Sequence, residues 1–179
     1  MKSTEELIKG CRAYERSSQN ELYHRFAHQV MCMAKRYMTD DHQAKDVFLR
    51  AFEKAFNNIE RYDASKGEFS SWLNRITINE ALNRLRTKSR FEFVELPEEN
   101  LIEGKLEPID NYDYDKLVEL IRKLKMPYGV IFSMIYEGYK HKEVAAEFNI
   151  TEATSRSYYK RSREMIQKEL NQTYKNEFK

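Results

Sequence analysis

Apolar residues recur at steps of three and four along most of this chain, which is the spacing of one face of an α-helix. A short pattern within the first twenty residues centres on Leu7, Ile8 and Cys11. From Asn20 a longer pattern predicts a helix whose inner face consists of Leu22, Phe26, Val30, Met33, Ala34 and Tyr37. Asp40 and Asp41 can cap a second helix, predicted over about 43–61. Its apolar residues are Val47, Phe48, Ala51, Phe52, Ala55, Phe56 and Ile59.

Residues 61–70 contain Gly67 and are expected to form a loop. A third helix follows to about Lys88, with an apolar face of Trp72, Leu73, Ile76, Ile78, Leu82 and Leu85. Its polar side is basic and carries Arg75, Asn79, Asn83, Arg84 and Arg86. Aromatic rings beside arginines can stack unpaired bases while the phosphates are neutralised, so Tyr62, Phe69 and Trp72 are candidate single-strand contacts. Burial in the core is the alternative for Phe69 and Trp72.

Residues 91–115 differ from the rest, because Pro97, Gly104 and Pro108 lie there among several glutamates, a composition that opposes regular structure. The formal net charge of the 179-residue chain is only +2. Residues 92–119 nevertheless carry −8, and the stretches before and after carry +5 each. We therefore expect an acidic linker, ordered only with a partner, between two basic helical domains. A plain solvated tether is the alternative. The basic blocks favour a polyanionic partner.

Helical spacing resumes at Tyr114, with Leu117, Leu120, Ile121 and Leu124 on one face. Pro127 opens a further helix that contains Val130, Ile131, Met134 and Ile135. Another helix is predicted over 141–148. Asn149 tolerates the left-handed conformation that ends a helix, and the hydroxyl of Thr151 can cap the next one.

The last helix predicted is basic on one side. Its inner stripe is Ser155, Tyr159, Ser162, Ile166 and Leu170. The opposite side carries Arg156, Tyr158, Lys160, Arg161 and Arg163. Two helices, a three-residue turn and a basic second helix describe a helix-turn-helix, whose basic face suits a DNA major groove. An ordinary helical hairpin with a solvated basic face is the alternative.

The composition agrees with an all-α fold of two small helical domains, since the chain has only 5 glycines and 3 prolines and is 34% charged. Cys11 and Cys32 form no CxxC pair and are expected to be reduced thiols of a cytoplasmic protein. His28 and Cys32 lie one helical turn apart, but two ligands are a weak signal. Neither a metal nor a cofactor is predicted.

Several functional classes are not expected. The chain shows no signal peptide and no long apolar run, so neither secretion nor membrane insertion is indicated. Its histidines form no constellation with a nucleophile or a carboxylate pair, so an enzyme is not predicted. The acidic group of Asp40, Asp41 and Asp46 is more simply a helix-capping cluster than a nuclease metal site.

Four stretches carry a resemblance to a known family. They are LYHRFAHQVMCMAKRY, DVFLRAFEKAF, RYDASKGEFSSWLNRITINEALNRLR and EGYKHKEVAAEFNITEATSRSYYKRSRE. In this order and spacing, over roughly residues 20–170, they resemble the bacterial RNA polymerase sigma factors of the extracytoplasmic-function (ECF) group of the sigma-70 family. The EGYKHKE stretch looks most like Bacteroidetes-type members.

The resemblance implies an alternative sigma factor, not an enzyme, that binds core RNA polymerase and directs promoter recognition and transcription initiation. Residues 1–91 would bind polymerase and melt the minus-ten element. Residues 92–113 would be the acidic linker, running through the polymerase toward the RNA exit path. Residues 114–179 would read the minus-thirty-five element through the helix-turn-helix. A free-standing helix-turn-helix regulator is the alternative, but the sequence shows no dimer interface or ligand pocket for one.

The resemblance also implies three sets of contact residues. Those docking on the clamp of the largest polymerase subunit would be Asp46, Phe48, Leu49, Arg50 and Phe52. Those meeting the melted strand would be Tyr62, Lys66, Phe69, Arg75, Asn79, Arg84 and Arg86. Those meeting the duplex would be Arg156, Ser157, Tyr158, Lys160, Arg161 and Arg163.

Two positions depart from the family pattern. Asn149 stands where glycine is common. Leu49-Arg50 stands where Gln-Glu is usual, and a glutamate could pair with a basic clamp residue whereas Arg50 cannot. Two consequences stay open: weak docking with help from an additional recruiting protein, or a compensating change on the cognate polymerase. Many relatives are held by an anti-sigma factor, but no residue here identifies one.

Overall fold

The structure, a computed structural model, describes residues 2–38, 40–88 and 114–177. Within those ranges every regular element is a helix, so the all-α prediction is confirmed. The chain divides into two compact units after Lys88. The acidic linker predicted over 92–113, with its expected lack of order, lies outside the described residues. None of the described helices is both long and apolar enough to cross a membrane.

The first unit contains four α-helices and two short 3-10 helices. The α-helices are α1 (Thr4–Arg12), α2 (Arg16–Tyr37), α3 (Asp41–Asn57) and α4 (Phe69–Lys88). The 3-10 helices are Ile59–Arg61 and Ala64–Lys66. The predicted cap of α3 is confirmed, since Asp40 accepts hydrogen bonds from the backbone N–H groups of His42 and Gln43, at 2.7 and 3.2 Å.

Helix α3 ends about one turn earlier than predicted. The Asn58 side chain donates to the Lys54 carbonyl at 2.8 Å, and the Asn58 N–H also reaches the carbonyls of Lys54 and Ala55. These bonds satisfy the end of the helix, and the chain then tightens into the 3-10 helix. The early end matters because it brings residues 58–61 close to α4.

The core of the first unit lies among α2, α3 and α4, with α1 packed on α2. The fully buried large side chains include Leu22, Met33, Leu73, Ile78 and Leu82. Helix α1 is held close to α2 at Gly10, where a Cβ atom would lie 2.2 Å from the Ser18 Oγ. A capping box between Ser3 and Glu6 begins this helix.

The second unit contains α5 (Tyr114–Lys123), α6 (Tyr128–Tyr136), α7 (His141–Phe148) and α8 (Glu152–Glu177). Its core includes Leu117, Leu120, Ile121, Phe132, Ile166 and Leu170. Helices α5 and α6 approach closely at Gly129, where a Cβ atom would lie 2.8 Å from the Ile121 carbonyl oxygen. Each unit therefore has an apolar core of its own.

Candidate nucleic-acid interfaces

The turn between α7 and α8 has the geometry that the sequence predicts. Asn149 adopts the left-handed conformation, with φ 53° and ψ 46°. The next N–H, that of Ile150, donates to the Ala145 carbonyl at 3.0 Å, which closes the end of α7. The Thr151 hydroxyl accepts from the Thr154 N–H at 3.0 Å, so the predicted cap of α8 is confirmed. These local bonds set the angle at which α8 leaves the turn.

The buried face of α8 is wider than the predicted stripe. Ser155 and Ser162 are fully buried as expected, but Tyr158 is also buried, at 2% exposed, and Ser157 is 8% exposed. The Tyr158 ring packs edge-on against Tyr128, with centroids 5.1 Å apart. Placing Tyr158 and Ser157 on the DNA-facing side is therefore corrected.

The outer side of α8 keeps its arginines and its lysine at the surface. The Arg156 side chain is 57% exposed and donates to Glu152 at 2.8 Å, one turn earlier. Lys160, Arg161 and Arg163 are half-buried, and the Arg163 guanidinium lies 6.0 Å from the centre of the Tyr159 ring. Tyr159 faces inward as predicted: it is half-buried, packs against the core and stacks on the buried Phe132 ring, with centroids 5.7 Å apart. The candidate duplex contacts are thus Arg156, Lys160, Arg161 and Arg163.

One histidine joins the two helices of this motif. His141 Nδ1 lies 3.0 Å from the Ser155 Oγ, and its ring meets Tyr159 edge-on. Burial lowers the pKa of His141, and the nearby charge of Arg156 lowers it further. The imidazole is therefore favoured in its neutral form, which suits a hydrogen bond to a buried hydroxyl.

In the first unit, two predicted base-stacking residues belong to the core. Tyr62 is 9% exposed and Phe69 is 3% exposed. Their rings pack edge-on at 5.3 Å, and the Tyr62 hydroxyl donates to the Gly67 carbonyl at 3.0 Å. Burial raises the pKa of Tyr62, with added effect from Glu68, so this hydroxyl stays a donor. The expectation that these two rings stack on bases is corrected, since each ring has an aromatic partner inside the protein.

Trp72 is half-buried and lies between this aromatic pair and a surface pocket. Its ring centroid is 5.6 Å from that of Tyr62 and 5.5 Å from that of Phe69. The pocket has a volume of about 270 Å³ and is lined by Lys54, Asn58, Arg61, Trp72, Ile76, Asn79 and Glu80. It combines a flat aromatic wall with charged and amide groups, which is the chemistry that receives an unpaired base.

Sequence reasoning missed four residues of this pocket, namely Lys54, Asn58, Arg61 and Glu80. Lys54 binds Glu80 through a hydrogen-bonded ion pair, and the Glu80 side chain is only 6% exposed. One signal was available in the sequence, since Glu80 is the sole acidic residue in an otherwise basic α4. The other three come from α3 and the turn after it: Lys54 lies in the last turn of α3, and Asn58 and Arg61 follow the end of the helix.

The remaining melted-strand candidates are at the surface. Lys66, Arg75, Asn79 and Arg86 are exposed. Arg84 is half-exposed, and its Nη2 lies 3.4 Å from the Asp46 carboxylate. This ion pair links a predicted strand contact on α4 to a predicted polymerase contact on α3. The two candidate surfaces of the first unit are therefore neighbours.

The predicted polymerase-docking face is narrower than expected. Leu49 is 59% exposed, and Asp46 and Arg50 are exposed beside it. Phe48 and Phe52 are only 6% and 4% exposed, and both pack against Tyr23 of α2, with centroid distances of 5.6 and 4.7 Å. They belong to the core, so including them in the docking surface is corrected.

The His28–Cys32 pair approaches as its spacing predicts, with Nε2 and Sγ 3.5 Å apart. Among the residues that the structure describes, no group of three histidine, cysteine or acidic side chains could hold a metal ion. Burial raises the pKa of the Cys11 thiol, so this cysteine behaves as a small core residue.

A helix-turn-helix in one helical unit, with an aromatic and basic pocket in another, defines a two-unit DNA-binding protein. Comparison with known proteins gives the family. The family model of sigma-70 region 2 matches residues 22–91, and that of sigma-70 region 4 matches residues 114–166. Together these matches span more than half of the chain, which therefore belongs to the sigma-70 family. It is a sigma factor of the ECF group, a promoter-recognition subunit of RNA polymerase.

Curated relatives agree with this. The chain is 25% identical to the ECF RNA polymerase sigma-E factor of Haemophilus influenzae over 92% of its own length and 93% of that protein. It is 25% identical to the RNA polymerase sigma-H factor of Pseudomonas aeruginosa, covering 82% of each. The match to the ECF sigma factor SigE of Mycolicibacterium smegmatis, at 33% identity, covers 46% of this chain and 31% of that protein.

Two solved structures share the fold. One is CnrH in complex with the cytosolic domain of CnrY, with a TM-score of 0.50 and 14% identity over 92% of this chain and 95% of that one. The other is the sigma factor RpoE in complex with the anti-sigma factor NepR from Bartonella quintana. It has a TM-score of 0.52 and 17% identity over 85% of this chain and 96% of that one. At these identities the likeness supports the fold alone. The likeness of the EGYKHKE stretch to Bacteroidetes-type members stays a prediction.

Proposed function

We propose that this sigma factor divides promoter recognition between its two units. Residues 1–91 bind the clamp region of the largest subunit of core RNA polymerase and open the minus-ten element. Residues 92–113 connect the units, and residues 114–179 read the minus-thirty-five element as duplex. The observation that carries this proposal is the Asp46–Arg84 ion pair, which joins the exposed docking face on α3 to the basic side of α4 within one helical unit.

The docking face on the polymerase consists of Asp46, Leu49 and Arg50. The exposed Leu49 can anchor this face, because burying a leucine side chain contributes about 1.5–3 kcal/mol. Asp46 and Arg50 lie one turn apart beside it, and their opposite charges set the orientation of docking. Since Asp46 also pairs with Arg84, docking and strand binding share one ion pair.

The melted non-template strand lies along α4 and the loop before it. A base leaves its stack at a cost of a few kcal/mol and enters the pocket beside Trp72 and Asn79. Lys66, Arg75, Arg84 and Arg86 offset that cost by neutralising phosphates. The Lys54–Glu80 pair gives the pocket a polar floor that can meet a base edge. Tyr62 and Phe69 support the Trp72 wall from behind.

The duplex element is read by the outer side of α8. Arg156 is the most exposed of its candidate contacts and lies near the N-terminal end of the helix, where recognition helices meet base edges. Arg161 lies on the same basic side, and Arg163, held near Tyr159, is suited to a phosphate. Lys160 adds charge without a forked donor geometry.

Partners and location follow from this role. The chain acts on DNA in the cytoplasm and performs no catalysis of its own. We propose an anti-sigma factor as a further partner, a proposal motivated by the relative RpoE, whose solved structure is a complex with one. An additional recruiting protein is required only if the Leu49-Arg50 face docks weakly.

The test is affinity for the cognate core polymerase in the absence of DNA, for the wild type and for Leu49→Gln combined with Arg50→Glu. We expect the wild type to bind and the double variant to bind about 10- to 100-fold more weakly, because the leucine anchor is lost. Lys142→Gln, an exposed change in the second unit, is the control. Stronger binding by the double variant would identify the native pair as a weakness and justify a search for the recruiter. No binding by the wild type would favour a free-standing regulator.

A further inference from the structure

Helix α1 lies before the matched region 2, yet it touches the part of the protein proposed to meet the melted strand. Arg12, in the last turn of α1, donates from Nη2 to the Tyr62 carbonyl at 2.7 Å. Its Nε lies 3.6 Å from the Glu60 carboxylate. The bond to Tyr62 joins residues fifty apart in sequence. Together the two contacts hold the chain where the 3-10 helix 59–61 leads into residues 62–68, here named the anchored loop.

The anchored loop is otherwise built from its own side chains. The Asp63 carboxylate accepts from the Ser65 N–H at 3.0 Å and from the Ser65 hydroxyl at 2.7 Å. These bonds lower the pKa of Asp63, and Lys66 lies 3.6 Å from it. Tyr62 closes the loop by donating to the Gly67 carbonyl. The loop is therefore a compact turn whose position depends on how Tyr62 is held.

Tyr62 also connects this anchor to the base pocket. Its ring packs against Trp72, which forms the aromatic wall of the pocket. Arg61, next to Tyr62, lines that pocket and also the 600 Å³ cavity between α1 and the anchored loop. A shift of the Tyr62 backbone would therefore move the pocket wall and the exposed Lys66 together.

We propose that Arg12 is a positioning residue for melted-strand binding, acting through the Tyr62 carbonyl without touching DNA itself. This inference rests on the proposed role of the first unit. A charged donor makes a stronger hydrogen bond to a carbonyl than a neutral one. Holding the loop before the strand arrives removes part of the ordering cost of binding. Helix α1 thus belongs to strand recognition and not only to the scaffold.

The test uses reconstituted holoenzyme and short single-stranded DNA. The wild type first enriches a preferred sequence from a randomised pool. The ratio of affinities for the enriched strand and for the starting pool is then measured for each variant. Arg12→Ala removes the anchor, and Arg12→Met removes the donors while keeping the apolar stem. Arg12→Lys retains one charged donor.

The matched control is Arg25→Ala. Arg25 also ties α1 down, but at its opposite end, by donating to the Lys2 carbonyl at 2.8 Å and to the Thr4 hydroxyl at 3.2 Å. Thermal unfolding and core-polymerase affinity are recorded for every variant, so that loss of fold is separated from loss of position.

We expect Arg12→Ala and Arg12→Met to lower the affinity ratio about three- to tenfold with core-polymerase affinity unchanged. Arg12→Lys should recover part of it, and Arg25→Ala should leave it intact. An unchanged ratio in Arg12→Met overturns the inference. So does an equal loss in Arg25→Ala, which would reduce Arg12 to a scaffold contact. If the wild type enriches no sequence, the proposed strand-binding role itself fails.

Discussion

At the scale of single residues, His141 is the clearest titratable group of the helix-turn-helix. It bridges α7 and α8 through Ser155 in the middle of the helix-turn-helix. Its pKa is lowered from the ordinary value of 6.5, first by burial and then by Arg156, while Glu152 opposes the shift. Because the folded pKa lies below the unfolded one, the unfolded chain binds the proton more readily.

The stability of the second unit should therefore depend on pH through His141. Its contribution is fully present above pH 6.5 and is lost as the pH falls through the lower folded pKa. We expect His141→Gln to flatten this dependence, as measured by denaturant unfolding between about pH 8 and about pH 5. His42→Gln, an exposed change in the first unit, is the control. Equal pH dependence in wild type and His141→Gln would contradict the prediction.

At the scale of one element, α8 buries one face in the core and keeps its basic residues on the other. Its inner face takes Tyr158 because α6 supplies Tyr128 as a partner, and its outer side keeps Arg156 and Arg161. The exposed Arg156 lies one turn into the helix, where it donates to the Glu152 carboxylate. We propose that α8 reads bases with a few of these side chains and contacts phosphates with the rest, as recognition helices do.

Alanine changes in α8 should separate these roles. Arg156→Ala or Arg161→Ala, whichever residue reads guanine, should cost about 1–3 kcal/mol and relax preference at one base pair. Arg163→Ala should weaken all duplexes alike and reduce the salt dependence of binding. The measurement is holoenzyme affinity for the minus-thirty-five duplex and for random duplex at two salt concentrations. Equal losses on both duplexes for all three variants would remove base readout by these arginines.

At the scale of the whole molecule, each unit has its own apolar core, one built around Leu22 and Leu73 and the other around Phe132 and Ile166. We therefore expect residues 1–88 and residues 114–179, produced separately, each to unfold cooperatively on heating. The first fragment should retain polymerase binding and the second should retain weak duplex binding. Circular dichroism during heating of each fragment measures whether it unfolds cooperatively. A fragment without a cooperative transition would mean that its core is completed by the rest of the chain.

The sequence by itself determined the helices and their caps, because these depend on neighbours within a few residues. The cap at Asp40, the left-handed Asn149 and the cap at Thr151 are all local hydrogen-bond or backbone preferences. The exposure of Leu49 follows from the helical spacing of the apolar residues in α3, because Leu49 falls outside their buried face. The order and spacing of the four stretches that resemble the family were also enough to indicate the sigma-70 family.

Tertiary structure alone decided which aromatic rings are available to a partner. Helical spacing puts Phe48, Phe52 and Tyr158 near the edge of an apolar stripe, so each could face either the core or the surface. Tyr23 on α2 and Tyr128 on α6 draw these rings inward, and no local pattern encodes those distant partners. The pocket at Trp72 and the bond from Arg12 to Tyr62 likewise join residues far apart in sequence. Such contacts exist only once the helices have packed, because they depend on distances between elements and not on spacing within one.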